Sequence, residues 1–495
     1  MELTLGLDVG TSSVKCVAAD QEGSVAATGS AALELLTSRG GWVEQDGSAM
    51  WRAAGEACRQ VMAKLDGKHR LAGMSISSQG GTTIPVDKVG EPVRLGFSWM
   101  DERAEVQAAE VVKRFGAEKV YRTTGWRLSN GLPLNHIAWF KQNEPELFAK
   151  TARFCFVNDF IAQRLCGEYW MDPSDAGITQ LYSLANNRWD EELIEQAGVK
   201  IEQLSPIRES GTWLGGLSAR AAAELGIPAG LPIFNGAHDQ YCSALGSGAV
   251  KPGSGLLSGG TAWVVMAVFA NPDQAFEAGM EVSRHALPNL FGGIRSMGGV
   301  GASMEWLMNL LWQGLSDRDL RAEAIHRAVA DSPAGAGGLR FVPLTGGHLD
   351  ASQANQGVLE GLELGHTRGD ITRALMEGIA FELRWMLENA QAGSWVDSLT
   401  MIGGAARSRV WPQMIADISG LPIRAAKEAD GAALGAARLA ALGAGLINEE
   451  SVSATVEKQA VIFKPNPDLA KFYGDLFAKY QAPRESRRAG KLEIG

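Results

Sequence analysis

Apolar and polar positions change period repeatedly along the chain, and each change marks an element. Residues 3–9 form an almost unbroken apolar run, Gly10-Thr11-Ser12-Ser13 interrupts it, and a second run from Val14 to Asp20 follows. Leu, Val and Thr suit a pleated buried surface and glycine suits a turn, so the stretch reads as strand, tight turn, strand. From Gly47 to Leu65 the period lengthens, with Met50, Ala53, Ala54, Ala57 and Val61 at helical spacing. Strand patterns return at 71–77, 84–87 and 95–100, around the polar-glycine knot Ser78-Gln79-Gly80-Gly81-Thr82-Thr83. This β, α, β rhythm predicts a layered α/β domain.

Residues 104–160 read as mostly helical, and Asp172-Pro173-Ser174-Asp175-Ala176-Gly177 reads as a polar loop. A second focus lies at 231–240, where a strand runs into Gly236-Ala237-His238-Asp239-Gln240 ahead of a small-residue helix. Residues 255–268 then repeat the opening pattern: strand, Gly259-Gly260-Thr261 turn, strand. Two such hairpins half a chain apart predict two related halves with a nucleotide between them; a chance likeness of two short hairpins is the alternative. Further on, Thr400 to Gly403 reads as a strand entering Gly403-Gly404-Ala405, with helices at 411–419, 431–442 and 467–480.

Composition narrows the function classes. A chain of 495 residues is too long for one core, so two or three domains are expected. The 60 glycines gather as pairs at candidate turns, a pattern that suits close backbone approach to ligands. A net charge of −10 with no basic stripe argues against a nucleic-acid partner. Five dispersed cysteines without a Cys-x-x-Cys pair argue against a disulfide scaffold or zinc site and fit a reducing cytoplasm. No basic segment leads into an apolar one at Met1-Glu2-Leu3, and no apolar run reaches about 18 residues, so no membrane association is expected.

The candidate chemistry starts at the first hairpin. A turn at Gly10 and Thr11 exposes backbone N–H groups beside hydroxyls, which suits phosphate, and Asp8 at the strand end suits a magnesium ion held through its waters. No Lys-Ser/Thr follows a Gly-x4-Gly, and the segment after the glycine is a strand, so neither a Walker loop nor a dinucleotide fingerprint fits. An ordinary hairpin remains the plainer reading. Gly403-Gly404 opens onto a helix, whose N–H groups favour phosphates.

Taken together the motifs resemble the FGGY carbohydrate kinases, which share the actin-like ATPase fold. Asp8-Val9-Gly10-Thr11-Ser12-Ser13 is similar to the family's first phosphate loop, Ser258-Gly259-Gly260-Thr261 to its second, and Gly403-Gly404-Ala405 to its adenosine-site glycines. Gly357 to Glu377 resembles the downstream signature, and Gly131-x-Pro133 to Trp139-Phe140 the upstream one, with His136 in place of lysine. The resemblance implies an α/β chain of two actin-like, ribonuclease H-like domains flanking a cleft. Their expected bounds are 1–248, binding sugar and carrying the catalytic base, and 249–482, binding nucleotide, with 483–495 a tail without fixed structure. It implies ATP and Mg2+, with Gly10, Thr11, Ser12, Gly259, Gly260, Thr261, Gly403, Gly404 and Ala405 around the nucleotide. Small-molecule sugar and ATP are the expected partners, and a homodimer is left open.

Resemblance and chemistry meet at Asp239. Phosphoryl transfer needs a carboxylate to accept the proton of the attacking hydroxyl, and Gly236-Ala237-His238-Asp239-Gln240 is similar to the family's base context. Capping of the following helix is the competing role. Gln240 is expected on substrate hydroxyls and Asp8 on metal and transferring phosphate. Gln79, Trp99, Asp101 and Arg103 fall where the family's substrate loops lie; Trp99 could equally be core, and Arg103 a structural ion pair. His238 is expected to line the pocket. Glycerol kinases carry Arg-Glu, and xylulose kinases Met-His, where this chain has Gly80-Gly81. Trp99-x-Asp101 and Asp172-x-Ser174-Asp175-Ala176 lean toward a xylulose-type ketopentose, with gluconate or another linear polyol acid, or a non-catalytic nucleotide sensor, as alternatives.

Overall fold

The computed structural model describes residues 2–38, 40–65, 67, 69–260, 263–313, 318–343, 357–388, 395–426, 431–453 and 460–492. Two sheets organise it. The first contains β1 (Glu2–Val9), β2 (Ser13–Ala19), β3 (Val25–Ala32), β4 (Arg70–Ser78), β5 (Trp213–Gly216) and β6 (Pro232–His238), in the order β5-β6-β4-β1-β2-β3. The second contains β7 (Ser254–Gly259), β8 (Trp263–Phe269), β9 (Glu281–Arg284), β10 (Phe291–Met297), β11 (Ser398–Gly403), β12 (Ile423–Ala425) and β13 (Val461–Phe463), ordered β9-β10-β8-β7-β11-β12-β13.

The two sheets share one connectivity. β1 pairs antiparallel with β2 and parallel with β4, and β4 runs parallel with β6. Likewise β7 pairs antiparallel with β8 and parallel with β11, and β11 runs parallel with β12. The central strand β1 is apolar almost throughout because both of its faces are covered. Among the described residues no helix is long and apolar enough to cross a membrane.

Helices α1 (Gly47–Lys64), α2 (Pro133–Asn143), α3 (Pro173–Ile178), α4 (Asp239–Gly246), α5 (Arg368–Glu388), α6 (Trp411–Ser419), α7 (Gly431–Gly443) and α8 (Pro467–Leu492) position the site. α1 starts where Asp46 accepts the Ser48 amide at 2.8 Å, and it lays Ala54 and Ala57 on the first sheet. Segment 172–177, expected as a loop, is α3 and is fully buried. Its Asp172 cap and Pro173 at the first helical position are helix-start chemistry that outweighs the turn-like composition. The tail, expected to lack fixed structure from 483, continues α8 to Leu492, because Ala, Arg, Glu and Lys extend an already nucleated helix readily.

The halves exchange helices. α4 leaves the first sheet and packs Tyr241, Cys242 and Leu245 against Leu256 and Met266 of the second. α7 leaves the second sheet and packs Ala433, Leu434 and Ala437 against Val17 and Ala19 of the first. Thr4 Oγ1 donates to Ala437 O at 2.8 Å across that contact. α7 is apolar nearly all round because it is enclosed on nearly every side. Where α4 and α7 cross, their backbones touch: a Cβ on Gly435 would stand 1.8 Å from Cys242 O, and one on Gly246 2.0 Å from Gly431 O.

Candidate active site

The parallel strands β1, β4 and β6 end together. Asp8 lies beside Ser77 in register, Ser77 beside Ala237, and Ser78 beside His238. With about 4.8 Å between neighbouring strands, Asp8 and the Asp239 corner stand about 10 Å apart along one edge. Ser77 Oγ donates to Asp8 Oδ1 at 2.8 Å. Lys15 lies directly opposite Asp8 in the hairpin, so it emerges on the same face. Lys15 was not among the expected site residues, although a two-residue turn at Thr11-Ser12 pairs these two positions.

Thr11, Gln79 and Trp99 come together. Thr11 Oγ1 donates to Gln79 Oε1 at 2.6 Å and accepts Trp99 Nε1–H at 3.1 Å. Gln45, not singled out in the sequence, ties the group: it accepts Gln79 Nε2–H at 2.8 Å and donates to Thr11 O at 3.0 Å. Trp99 is 45% exposed, which removes it from the core. The Gly10 amide, expected to face phosphate, donates to Ser13 O at 3.1 Å and closes the hairpin instead. Ser12 is the exposed residue at the tip.

Asp239 opens α4, directly after β6 ends at His238. His238 is the cap of this helix: its Nδ1 accepts the Gln240 amide at 3.3 Å. The capping role that competed for Asp239 thus falls to its neighbour. The Asp239 side chain is 31% exposed, yet the protein packed around it pushes its pKa up to about 6, against hydrogen bonds from Gln240 that favour the ionised form. Gln240 Oε1 is buried with no partner among the described residues. A carboxylate tuned close to neutrality beside an unsatisfied amide oxygen suits proton transfer from a bound hydroxyl.

Helix α3 buttresses this corner. Asp172 Oδ1 accepts the Ser174 and Asp175 amides at 2.9 and 3.0 Å. Ser174 Oγ accepts the His238 amide at 2.9 Å, and Ser78 Oγ donates to Asp175 at 2.8 Å. Burial, then the charge of Asp172, pushes the Asp175 carboxyl well above its usual range.

Two expected substrate contacts are turned inward. Asp101 is fully buried, and Arg103 Nε and Nη2 and the amides of Arg103 and Val43 occupy both its oxygens at 2.6–3.0 Å. Burial pushes Asp101 up, but those hydrogen bonds outweigh it and hold its carboxyl below the usual range. Arg103 also bonds Glu44 at 2.9 Å and lies 3.9 Å from the Trp42 ring centre, leaving its side chain 1% exposed. Glu44 lies 59 positions away, so the pair's third member was not readable locally. His136, in place of a lysine, is also interior: it stacks on Phe97, and its Nε2–H donates to Asp101 O at 2.7 Å.

At the matching edge of the second sheet, Gly259 lies beside Gly403 in register. Gly403 has φ +88°, and a Cβ there would stand 2.8 Å from Gly259 O. A Cβ on Gly259 would meet Ala405 Cβ at 3.0 Å, while Gly404 faces open space and Gly260 is exposed. These five expected residues are therefore brought together as a flat, backbone-lined surface ahead of α6. Thr261 lies outside the described residues.

Magnesium fits the first corner as a single-carboxylate site. Among the described residues no group of three or more His, Cys, Asp or Glu could hold a metal ion. Mg2+ keeps several waters and takes phosphate oxygens when bound with a nucleotide, so one carboxylate such as Asp8 suffices.

Comparison with known proteins agrees with this architecture. The family model "FGGY family of carbohydrate kinases, N-terminal domain" matches residues 3–246, and the corresponding C-terminal domain model matches residues 255–444. Over 489 residues the chain is 29% identical to a xylulose kinase of Staphylococcus epidermidis, covering 97% of this chain and 96% of that one. The crystal structure of xylulose kinase from Rhodospirillum rubrum superimposes with TM-score 0.88 at 26% identity, over 98% of this chain and 99% of that one. Gluconate kinase from Lactobacillus acidophilus superimposes with TM-score 0.86 at 26% identity over 100% of both chains. With both domain models matched in order along two sheets of one connectivity, the chain belongs to the FGGY family of carbohydrate kinases, the sugar-phosphorylating transferases.

Proposed function

We propose that this enzyme transfers the γ-phosphoryl group of ATP to a hydroxyl of an uncharged ketose, a ketopentose such as D-xylulose, with Asp239 as the general base. The observation that carries the reading is the Asp239 corner itself: a partly exposed carboxylate with its pKa raised to about 6, on the strand edge shared with Asp8. The division of the chain near residue 248 into an acceptor-binding and a nucleotide-binding lobe is part of the same proposal.

In this mechanism the acceptor lies between Gln79, Trp99 and Gln240, with its reacting hydroxyl against Asp239. As the oxygen attacks the γ-phosphorus in line, its proton passes to the Asp239 carboxylate, and the bond to the β–γ bridging oxygen breaks, releasing ADP. Lys15 and the Thr11 and Ser12 turn face the transferring phosphate. Magnesium, held by Asp8 and the phosphates, would neutralise charge on the phosphate oxygens. ATP rests on Gly259, Gly260, Gly403, Gly404 and Ala405, and movement about the crossed helices α4 and α7 closes the cleft against water.

An acidic acceptor such as gluconate is disfavoured by the inward turn of Arg103, which Asp101 and Glu44 engage. The test is acceptor-dependent ADP release over a panel of D-xylulose, D-ribulose, D-fructose, glycerol and D-gluconate. Turnover with an uncharged ketose that is lost in Asp239→Asn, at unchanged melting temperature, supports the reading. Preference for D-gluconate, or turnover retained in the variant, contradicts it.

A further inference from the structure

The place where a side chain of the acceptor loop would stand is occupied by a side chain from another strand. A Cβ on Gly80 would lie 2.4 Å from His238 Cδ2, 2.7 Å from His238 Nε2 and 2.8 Å from Ile178 Cγ2. Every one of these obstacles is a side-chain atom, and Gly80, unlike Gly81 with φ +76°, is not among the positive-φ residues. The backbone at 80 would accept a side chain; the imidazole, at the two shortest distances, and Ile178 exclude it.

That imidazole is held firmly. Its backbone amide donates to Ser174 Oγ at 2.9 Å, and Nδ1 accepts the Gln240 amide at 3.3 Å. Tyr241 meets the ring edge-on at 5.8 Å between centres, and Trp126 lies at 6.3 Å with its own Nε1–H fixed on Ser283. Nδ1 also lies 3.2 Å from Asp239 Oδ1; in the tautomer that accepts the Gln240 amide the proton is on Nε2, the edge turned to residue 80. No protein acceptor among the described residues takes that Nε2–H, and 8% of the side chain stays accessible.

We propose that Gly80 and His238 form an acceptor-specificity pair, in which the glycine yields its side-chain space so that His238 Nε2–H donates to a substrate oxygen next to the hydroxyl that Asp239 deprotonates. The inference rests on the acceptor-binding reading of the Asp239 corner. Burial pushes His238 down to about 4, so near neutral pH it offers one uncharged donor. An uncharged donor among Asp8, Asp172, Asp175 and Asp239 suits a carbonyl or hydroxyl oxygen and gives no compensation to a carboxylate. The ligand class is therefore a neutral ketose or polyol with an oxygen adjacent to the attacked hydroxyl.

The panel assay comes first and separates the two proposals, because failure of every uncharged acceptor overturns the functional reading before the pair is probed. With the best acceptor in hand, KM for acceptor and for ATP are measured in His238→Ala, His238→Asn, Gly80→Ala and Gly80→Ala/His238→Ala, each checked by thermal melting. Loss of one donor to a bound oxygen predicts an acceptor KM about tenfold higher in His238→Ala, at unchanged ATP KM, with part of the loss recovered in His238→Asn. Gly80→Ala should show a similar rise, and the double variant should fall well short of the product of the single effects, since the ring's part of the clash has gone and only Ile178 Cγ2 at 2.8 Å remains. An acceptor KM within twofold of the parent in His238→Ala, or single effects that multiply in the double variant, overturns the pair. If His238→Ala fails to fold, His238→Gln takes its place, alone and in the double variant.

Discussion

The matching strand edges of the two sheets have the same connectivity and opposite chemistry. In the first, the side chains of Asp8, Gln79 and Asp239 stand at the ends of β1, β4 and β6. In the second, the corresponding strand ends carry Gly259 and Gly403, so close that a Cβ on one would press on the backbone of the other. The scaffold therefore fixes where a ligand lies and leaves its handling to the residue at each strand end. In the proposed function one edge acts through side chains that accept protons and hydrogen bonds, the other through bare backbone that admits a large flat ligand.

The largest effect expected from breaking this contrast is at the base. Asp239→Asn keeps the shape of the corner but removes its proton acceptor, and kcat should fall by about 10^2–10^4-fold with melting unchanged. Next is the scaffold behind the acceptor edge. Arg103→Met leaves Asp101 buried without its cation, at a cost of about 3–5 kcal/mol in stability by chemical denaturation. Activity should track only the folded fraction, because Arg103 supports the edge from behind.

Smaller effects should separate the helix crossing from the proposed nucleotide edge. Gly435→Ala forces the crossed helices apart at Cys242 O and should cost about 1–3 kcal/mol of stability. It should also weaken the dependence of small-angle scattering on added ATP and acceptor. Gly403→Ala places a Cβ at φ +88°, a strain of about 1–2 kcal/mol, and should raise KM for ATP about tenfold with the acceptor KM unchanged. An equal change in both KM values would erase the distinction between the edges.

Much of the edge chemistry was legible because it is local. The hairpin at Gly10 and the strand ending before Asp239 follow from apolar runs that stop at polar turns. What joined distant positions was not. The interior fate of Asp101 and Arg103 depends on Glu44 and on the Val43 amide, which meet them only in the folded chain. The apolar pattern of α7 announced a buried helix but not that it would cover the opposite half's sheet. α3 was readable in principle, since Asp172-Pro173 is a helix start, but its run of Asp, Ser and Gly imitates a loop.

The central claim is that Asp239 accepts the acceptor's proton, and the pH dependence of kcat/KM for the acceptor tests it most directly. Enclosure raises this carboxyl from its ordinary value to about 6, so its ionisation takes stability from the folded chain as pH rises from about 4 to 6 while making the base available. His238, pushed down to about 4, stays neutral above that range, and Asp175, pushed well up, lies behind the corner in α3. With Asp239 as the base, kcat/KM climbs with unit slope through an apparent pKa near 6 and is level above it. A profile flat down to pH 5 would contradict it.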